Sequence, residues 1–173
     1  GLSNETPWGT MKYLELAETR SLPRVASIQN AYNLVNRGFE IGLSEVAMHE
    51  QVGLLAYSPL AQGTLTGKYL GGQMPQGSRL ALFGDGPLMM RYKGDKTQQA
   101  IEMYVNLAKK YEIDPAQLAI QFCNIQPFVT STIIGATTME QLKTCIDSID
   151  LDITKEIINE IRSIHKEIPN PAP

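Results

Sequence analysis

Short apolar runs alternate with helical patterns along this chain. Four segments have the length and composition of buried strands or strand ends, and they cover residues 1–4, 25–29, 53–57 and 129–135. Elsewhere apolar residues recur every three or four positions, which predicts helices over residues 6–19, 43–51 and 101–111, from residue 114, and over residues 138–149 and 157–168. Strands that alternate with helices favour βα units around a parallel sheet.

Polar residues follow the carboxyl end of each predicted strand: Ser3-Asn4, Gln29, Tyr57-Ser58 and Gly135-Ala136-Thr137. In a doubly wound sheet such residues collect at one switch point, whereas in a (β/α)8 barrel every strand contributes to one mouth. Four successive strands with polar ends favour the barrel, but eight strands are needed to close it. The sequence therefore predicts an α/β fold that is half of a TIM barrel with parallel strands and a C-terminal helix.

The stretch from Gly53 to Tyr69 has the pattern of a ligand site. A buried strand stops at Tyr57, breaks at Ser58-Pro59 and continues through small residues to Lys68. Such a loop offers backbone N–H groups, hydroxyls and a positive charge to an anion. An ordinary strand-to-helix connection is the alternative. The connection over residues 60–95 is rich in Gly and Pro, and loops of that length are usually functional or mobile.

Composition narrows the possible classes of protein. With 173 residues, 43% of them hydrophobic, the chain suits one domain or part of a larger one. Fifteen Lys and Arg against 18 Asp and Glu give a net charge of −3 without a basic block, which argues against nucleic acid. Cys123 and Cys145 lack metal-ligand spacing, so reduced thiols in the cytoplasm are expected. No apolar run is long enough for a membrane span, and neither a metal nor a membrane partner is expected.

Four segments together resemble the aldo-keto reductase family, and within it the Tas-like bacterial branch: residues 1–4, 28–33, 56–63 and 133–142. Their order and spacing extend over essentially the whole chain. The resemblance implies that residues 1–173 form a partial domain, from the end of the family's fifth strand through strand 8 and the terminal helix. This is the C-terminal half of the barrel, with the N-terminal half absent. The implied activity is NADP(H)-dependent reduction of an aldehyde or ketone.

The same resemblance implies which residues hold the cofactor. Ser3, Asn4 and Gln29 would hydrogen-bond the nicotinamide carboxamide, which has both donors and an acceptor, and Tyr57 would stack on the nicotinamide ring. Without the family, buried amides at strand ends and a core tyrosine would be the simpler interpretation.

The remaining implied contacts follow the phosphates. They are Ser58, Pro59, Leu60, Gly63 and Lys68 along the pyrophosphate, Arg79 at the adenosine 2′-phosphate, and Gly135, Thr137 and Gln141 at a helix N-terminus, where N–H groups favour anions. A solvated loop arginine is the alternative for Arg79. Relatives often carry Glu-Asn where this chain has Thr144-Cys145, so no adenine contact is assigned there.

The family's proton donor is a tyrosine with nearby Lys, Asp and His, and all four belong to strands before Gly1. No catalytic residue is therefore assigned in this chain. Three hypotheses remain. The chain is half of a reductase, inactive alone and partnered by the N-terminal half; or an NADP(H)-sensing module similar to the potassium-channel β-subunits; or an inert truncated fragment. Open sheet edges also predict self-association.

Overall fold

The computed structural model describes residues 1–84 and 86–173. Within them, four strands alternate with eight α-helices: β1 Leu2–Ser3, α1 Pro7–Thr19, β2 Ser27–Ala31, α2 Leu43–Glu50, β3 Gly53–Tyr57, α3 Arg79–Phe83, α4 Pro87–Met90, α5 Asp95–Lys110, α6 Pro115–Asn124, β4 Val129–Thr132, α7 Met139–Asp147 and α8 Lys155–Glu167. Short 3₁₀ segments lie at Gly38–Glu40, Ala61–Thr66, Leu70–Gly72 and Ser148–Asp150.

The strands form one parallel sheet in the order β1-β2-β3-β4, which is also their order in the sequence. Right-handed crossovers that always advance in one direction place the helices on one face of the sheet. A doubly wound sheet instead reverses its strand order at a switch point. The predicted α/β fold with parallel strands is therefore confirmed, and its topology is consistent with part of a (β/α)8 barrel wall.

The two faces of the sheet differ in burial. Ile28, Leu54 and Ala56 are buried and belong to the core that the sheet shares with the helices. A row of paired residues crosses the opposite face, consisting of Ser3, Gln29, Leu55 and Ser131. The three polar members of this row are exposed. In a complete barrel this face lines the interior, so the chain presents an inner barrel wall.

An aromatic cluster anchors the segment that follows β2. Tyr32 is fully buried, with its ring 5.6 Å from Phe122 in a stacked arrangement and 5.3 Å from Phe128 edge to face. Phe39 packs on Phe128 at 5.4 Å. Such pairs stabilise a core beyond their buried area. The cluster fixes the chain between β2 and α2 against α6.

A partly buried ion pair braces the same segment. The Arg37 guanidinium donates from Nε and Nη2 to the two Glu40 carboxylate oxygens at 2.6 and 2.8 Å, and Tyr32 Oη donates to Oε1 at 2.6 Å. Burial would raise the pKa of Glu40, but the hydrogen bonds from Arg37 and Tyr32 and the Arg37 charge lower it below its ordinary value. Burial raises the pKa of Tyr32. Glu40 therefore stays ionised and Tyr32 protonated at neutral pH.

Two strands differ in extent from the sequence prediction. β2 covers Ser27–Ala31 rather than residues 25–29, because its pairing with β3 extends from Ser27 opposite Gly53 to Ala31 opposite Tyr57. β4 ends at Thr132, because its neighbour β3 ends at Tyr57. Ile133 N still donates to Ala56 O at 2.8 Å, after which the chain leaves the sheet.

The predicted apolar stripe of α1 is only partly buried. Leu14 and Ala17 lie in the core, whereas Trp8 is 73% exposed and Met11 is 42% exposed. α1 follows the edge strand β1, so within the described residues its outer side has no neighbouring sheet element. The helix forms as predicted, but only the second half of its apolar stripe is buried.

The long connection over residues 60–95 contains more structure than its sequence predicts. It includes α3, α4 and two 3₁₀ segments, all short. Gly63, Gly67 and Gly71 have φ values of 90°, 80° and 68°, in the left-handed region that suits glycine. The turns at these glycines interrupt helical structure, so the helices in this connection remain short.

The isolated 173-residue chain is expected to self-associate. β1 and β4 are open sheet edges, and large apolar side chains are exposed on the helices that follow them, with Trp8 on α1 73% and Met139 on α7 77% exposed. Unpaired edges and exposed apolar patches favour association. Size-exclusion chromatography with light scattering should give a mass above the 19.1 kDa monomer. Trp8→Lys with Met139→Lys should reduce the association, and a monodisperse wild-type monomer would contradict the expectation.

Candidate functional site

Polar side chains from three neighbouring strands meet at the carboxyl edge of the sheet. Ser3 pairs with Gln29 across β1 and β2, and Asn4 N donates to Gln29 O at 2.9 Å. Tyr57, at the end of β3, donates its hydroxyl to Asn4 Oδ1 at 2.9 Å. The structure therefore brings together Ser3, Asn4, Gln29 and Tyr57, which the sequence predicted as one group.

These side chains remain accessible. Ser3, Asn4 and Gln29 are exposed, and Tyr57 is half-buried. Asn4 has φ of 52°, a left-handed conformation that asparagine tolerates better than most residues. Its amide Nδ2 donates to Ser3 Oγ at 3.3 Å. An exposed set of amides and hydroxyls beside an aromatic ring can bind a flat polar ligand that carries both donors and acceptors.

The loop after β3 is tightly folded by left-handed residues. Ser58, Ala61, Gln62 and Gly63 have φ values of 55°, 48°, 60° and 90°. Ser58 O accepts from Ala61 N at 2.9 Å, and Gly63 N donates to Leu60 O at 2.8 Å. Non-glycine residues with positive φ cost energy and often occur at functional loops. Pro59 is buried and Leu60 packs against the core, so these two residues anchor the loop.

Lys68 lies over the same loop. An ideal Cβ at Gly63 would be 3.1 Å from both Lys68 Cε and Nζ, so the absence of a side chain there leaves room for the lysine. The Lys68 ammonium also lies 5.1 Å from the Tyr69 ring centroid. Among the described residues, no ion pair includes Lys68. Its charge is therefore not neutralised by a neighbouring carboxylate there.

Arg79 is connected to this loop through Tyr69. Arg79 is the first residue of α3 and is exposed, and Ser78 caps that helix by accepting from Ala81 N. Leu80 N donates to Tyr69 Oη at 3.4 Å. Lys68 therefore contacts the Tyr69 ring directly, whereas Arg79 is adjacent to Leu80, which contacts the Tyr69 hydroxyl. The part of the chain that is described gives Arg79 no ion pair.

The third predicted group lies where β4 leads into α7. Gln141 Oε1 accepts from Thr137 N at 2.9 Å and from Thr137 Oγ1 at 3.0 Å, and Thr138 caps the helix by accepting from Gln141 N. Gly135 faces open space, since an added Cβ would meet no atom within 4 Å. These residues form a local, exposed turn, and no described hydrogen bond joins them to the Ser58 loop.

Sequence reasoning missed two buried residues beside the site. Asn33 is fully buried and donates from Nδ2 to Ser58 O at 3.0 Å. Tyr92, from the long connection, is 2% exposed; burial raises its pKa, while Asn33 and Arg91 lower it and Tyr57 adds to the rise. Local sequence does not distinguish a buried asparagine from an exposed one. The only signal for Asn33 was its place in the polar run after β2.

None of the described helices has the length and apolar character to cross a membrane. Within residues 1–84 and 86–173, no three His, Cys, Asp or Glu side chains form a group able to hold a metal ion. Cys123 and Cys145 are free and buried, and burial raises the pKa of the Cys123 thiol.

Taken residue by residue, the site fits a nicotinamide dinucleotide. Exposed amides beside Tyr57 suit a carboxamide on an aromatic ring. Gly63 has no side chain and lies beneath the Lys68 ammonium, which has no ion pair among the described residues, and this arrangement suits a phosphate. The open backbone at Gly135 precedes a helix N-terminus, which also favours negative charge.

The fold and this edge of the sheet define an α/β protein whose parallel strands end in polar residues, and sequence comparison identifies its family. The model of the aldo/keto reductase family matches residues 1–166. The chain therefore belongs to the aldo/keto reductase family.

Individual relatives are similar over most of the chain. It is 51% identical to Protein tas of Escherichia coli over 173 residues, which is 100% of the chain and 49% of that protein. It is 40% identical over 172 residues to an aldo-keto reductase of Babesia bovis, covering 95% of the chain and 60% of the relative. A probable voltage-gated potassium channel subunit beta of rice is 35% identical over 120 residues, which is 68% of the chain and 37% of that protein. The chain thus spans about half the length of the first of these relatives.

Proposed function

We propose that this chain is the C-terminal, NADP(H)-binding half of an aldo-keto reductase that reduces an aldehyde or ketone. The bound cofactor supplies the hydride. The rest of the barrel would supply the proton donor and the second half of the substrate pocket, so the chain alone would be inactive. Buried, free cysteines are in keeping with a cytoplasmic location.

The convergence of three strands at Tyr57 carries this proposal. The 2.9 Å bond from Tyr57 Oη to Asn4 Oδ1 joins the end of β3 to the end of β1, across the end of β2. It orients the Tyr57 ring and the Asn4 amide relative to each other. Ser3, Asn4 and Gln29 would then hold the carboxamide, and fixing the carboxamide decides which face of the nicotinamide points toward the substrate.

The phosphate end of the cofactor would lie on the loop after β3. Ser58, Pro59, Leu60 and Gly63 would present backbone to the pyrophosphate while Lys68 supplies charge. Arg79 would form a fork with the 2′-phosphate, a geometry for which guanidinium is well suited. Gly135, Thr137 and Gln141 would bind at the same end of the cofactor, where the N-terminus of α7 favours an anion.

A cofactor-sensing module is the second candidate. The similarity to the rice potassium channel subunit favours it, because that protein is described as a channel subunit rather than as a reductase. The two candidates differ in turnover. A full-length reductase consumes NADPH when an aldehyde is added, whereas a sensor binds NADPH and shows no sustained consumption.

Gln29→Ala in the full-length protein tests the carboxamide role. Losing one or two hydrogen bonds to the carboxamide should weaken NADPH binding by about tenfold and lower the rate of hydride transfer further, because the ring is no longer held in one orientation. Stopped-flow loss of NADPH absorbance measures both effects. Gln99→Ala, an exposed glutamine on α5, is the control. Equal behaviour of the two variants would count against the proposed site.

A further inference from the structure

Asn33 is fully buried, and its side-chain amide is hydrogen-bonded at both its oxygen and its nitrogen. Its Oδ1 accepts from Val35 N at 3.0 Å and from Asn36 N at 2.9 Å, and its Nδ2 donates to Ser58 O at 3.0 Å. The two backbone donors decide which end of the amide is the oxygen. A buried amide is costly without partners, so the side chain has one favourable orientation.

The partner of Asn33 is a residue with a left-handed backbone at the start of the loop after β3. Ser58 has φ of 55°, which costs a non-glycine residue energy. Its carbonyl accepts from both Asn33 Nδ2 and Ala61 N, while its hydroxyl accepts from Gln62 Nε2 at 2.9 Å. The direction of the backbone at Ser58 decides where the following N–H groups point.

The C-terminal tail supports the turn that contains Asn33. Asn170 Oδ1 accepts from Arg37 N at 2.7 Å, and Ala172 N donates to Val35 O at 3.1 Å. Thr97 Oγ1, on α5, donates to Pro171 O at 2.8 Å, and Ala172 is 1% exposed. The tail is therefore attached on one side to the Asn33 turn and on the other to α5.

We propose that Asn33 is a positioning residue for dinucleotide binding, which links the C-terminal tail to the phosphate loop through Ser58 O. This inference rests on the proposed function. The buried amide holds Ser58 in its left-handed conformation before ligand arrives, so the loop N–H groups need not be ordered on binding. Preorganisation of this kind raises affinity without a direct contact.

Asn33→Asp in the full-length protein tests the link to Ser58 O. Aspartate keeps an acceptor for Val35 N and Asn36 N but cannot donate to Ser58 O. We expect the Kd for NADPH to rise about tenfold, while the Kd for adenosine 2′-monophosphate, which lacks the pyrophosphate, changes less than about twofold. Asn36→Ala is the matched control. It removes the bond from Gly38 N to Asn36 Oδ1 in the same turn without touching Ser58, so it should leave both Kd values unchanged.

Asn170→Gly provides a second variant. Glycine accepts the φ of 42° at this position but loses the bond to Arg37 N, so the Kd for NADPH should rise by about threefold. If Asn33→Asp loses its cooperative melting transition, this variant tests whether the tail and the Asn33 turn position the loop.

The outcomes separate the two proposals. Wild-type protein that does not bind NADPH overturns the proposed function. Wild-type protein that binds NADPH, with an unchanged Kd in folded Asn33→Asp, overturns only the role of Asn33. An unchanged Kd in Asn170→Gly removes the tail from the mechanism. Parallel losses for NADPH and adenosine 2′-monophosphate in Asn33→Asp would indicate a general structural defect and also overturn the positioning role.

Discussion

Arg79→Ala in the full-length protein is expected to raise the Kd for NADPH by about tenfold to a hundredfold and to leave the Kd for NADH within about twofold. Hydrogen bonds to charged groups contribute about 1.5–3 kcal/mol each, and only NADPH carries the 2′-phosphate. Arg79 is exposed and has no ion pair within the described residues, so its removal should not disturb the fold.

The measurement is a fluorescence titration of both cofactors at one fixed ionic strength, because charge–charge binding depends on salt. Arg162→Ala on α8 is the control, because Arg162 is exposed and its substitution removes the same formal charge at a different place. Equal losses of NADPH and NADH affinity in Arg79→Ala would contradict a contact between Arg79 and the 2′-phosphate. A loss in Arg162→Ala of the same size would indicate a general effect of net charge.

Arg37→Met is expected to lower the free energy of unfolding by about 2–4 kcal/mol at neutral pH. The variant keeps the apolar stem but leaves the Glu40 carboxylate without its bidentate partner. The two side chains are 13% and 28% exposed, so the loss should fall short of that for a fully buried pair. Urea unfolding followed by circular dichroism measures it.

The effect of Arg37→Met should depend on pH. The pKa of Glu40 is lowered in the folded protein, so its carboxylate contributes stability above the unfolded pKa of about 4.3 and loses it as pH falls through the folded value. In the variant, burial without Arg37 should raise that pKa instead. The stability gap between wild type and variant should therefore begin to narrow as pH falls through the raised pKa of Glu40 in the variant, and should continue to narrow until pH reaches the lowered pKa in the wild type. A gap of constant size from neutral to acidic pH would contradict this, and Glu40→Gln in both backgrounds measures the coupling.

Much of the fold followed from local patterns. The isoleucines predicted along the last helix, Ile157, Ile161 and Ile164, are buried, and the parallel order of the strands was implied by their alternation with helices. The exposure of Trp8 did not follow from the sequence, because a helical stripe says which side is apolar, not whether a neighbour covers it. Strand ends depended on the register with neighbouring strands, which the sequence of one strand does not contain.

Only part of the site was predicted from the sequence. The resemblance named the exposed residues of the sheet edge, such as Gln29, and the structure brings them together. It included Asn33 in a matching segment but gave it no role, because its role depends on one bond to a residue 25 positions away. Similarly, the left-handed conformation of Ser58 has no local signature, because serine seldom adopts it. Long-range polar contacts and backbone strain are properties of the folded chain rather than of any window of sequence.

Isothermal titration calorimetry of the full-length protein with NADPH tests the central proposal most directly. We expect one NADPH to bind per chain, with a Kd at least about tenfold lower than that of NADH. The absence of saturable NADPH binding by a correctly folded full-length protein would contradict the assignment of this chain as the cofactor-binding half of an aldo-keto reductase.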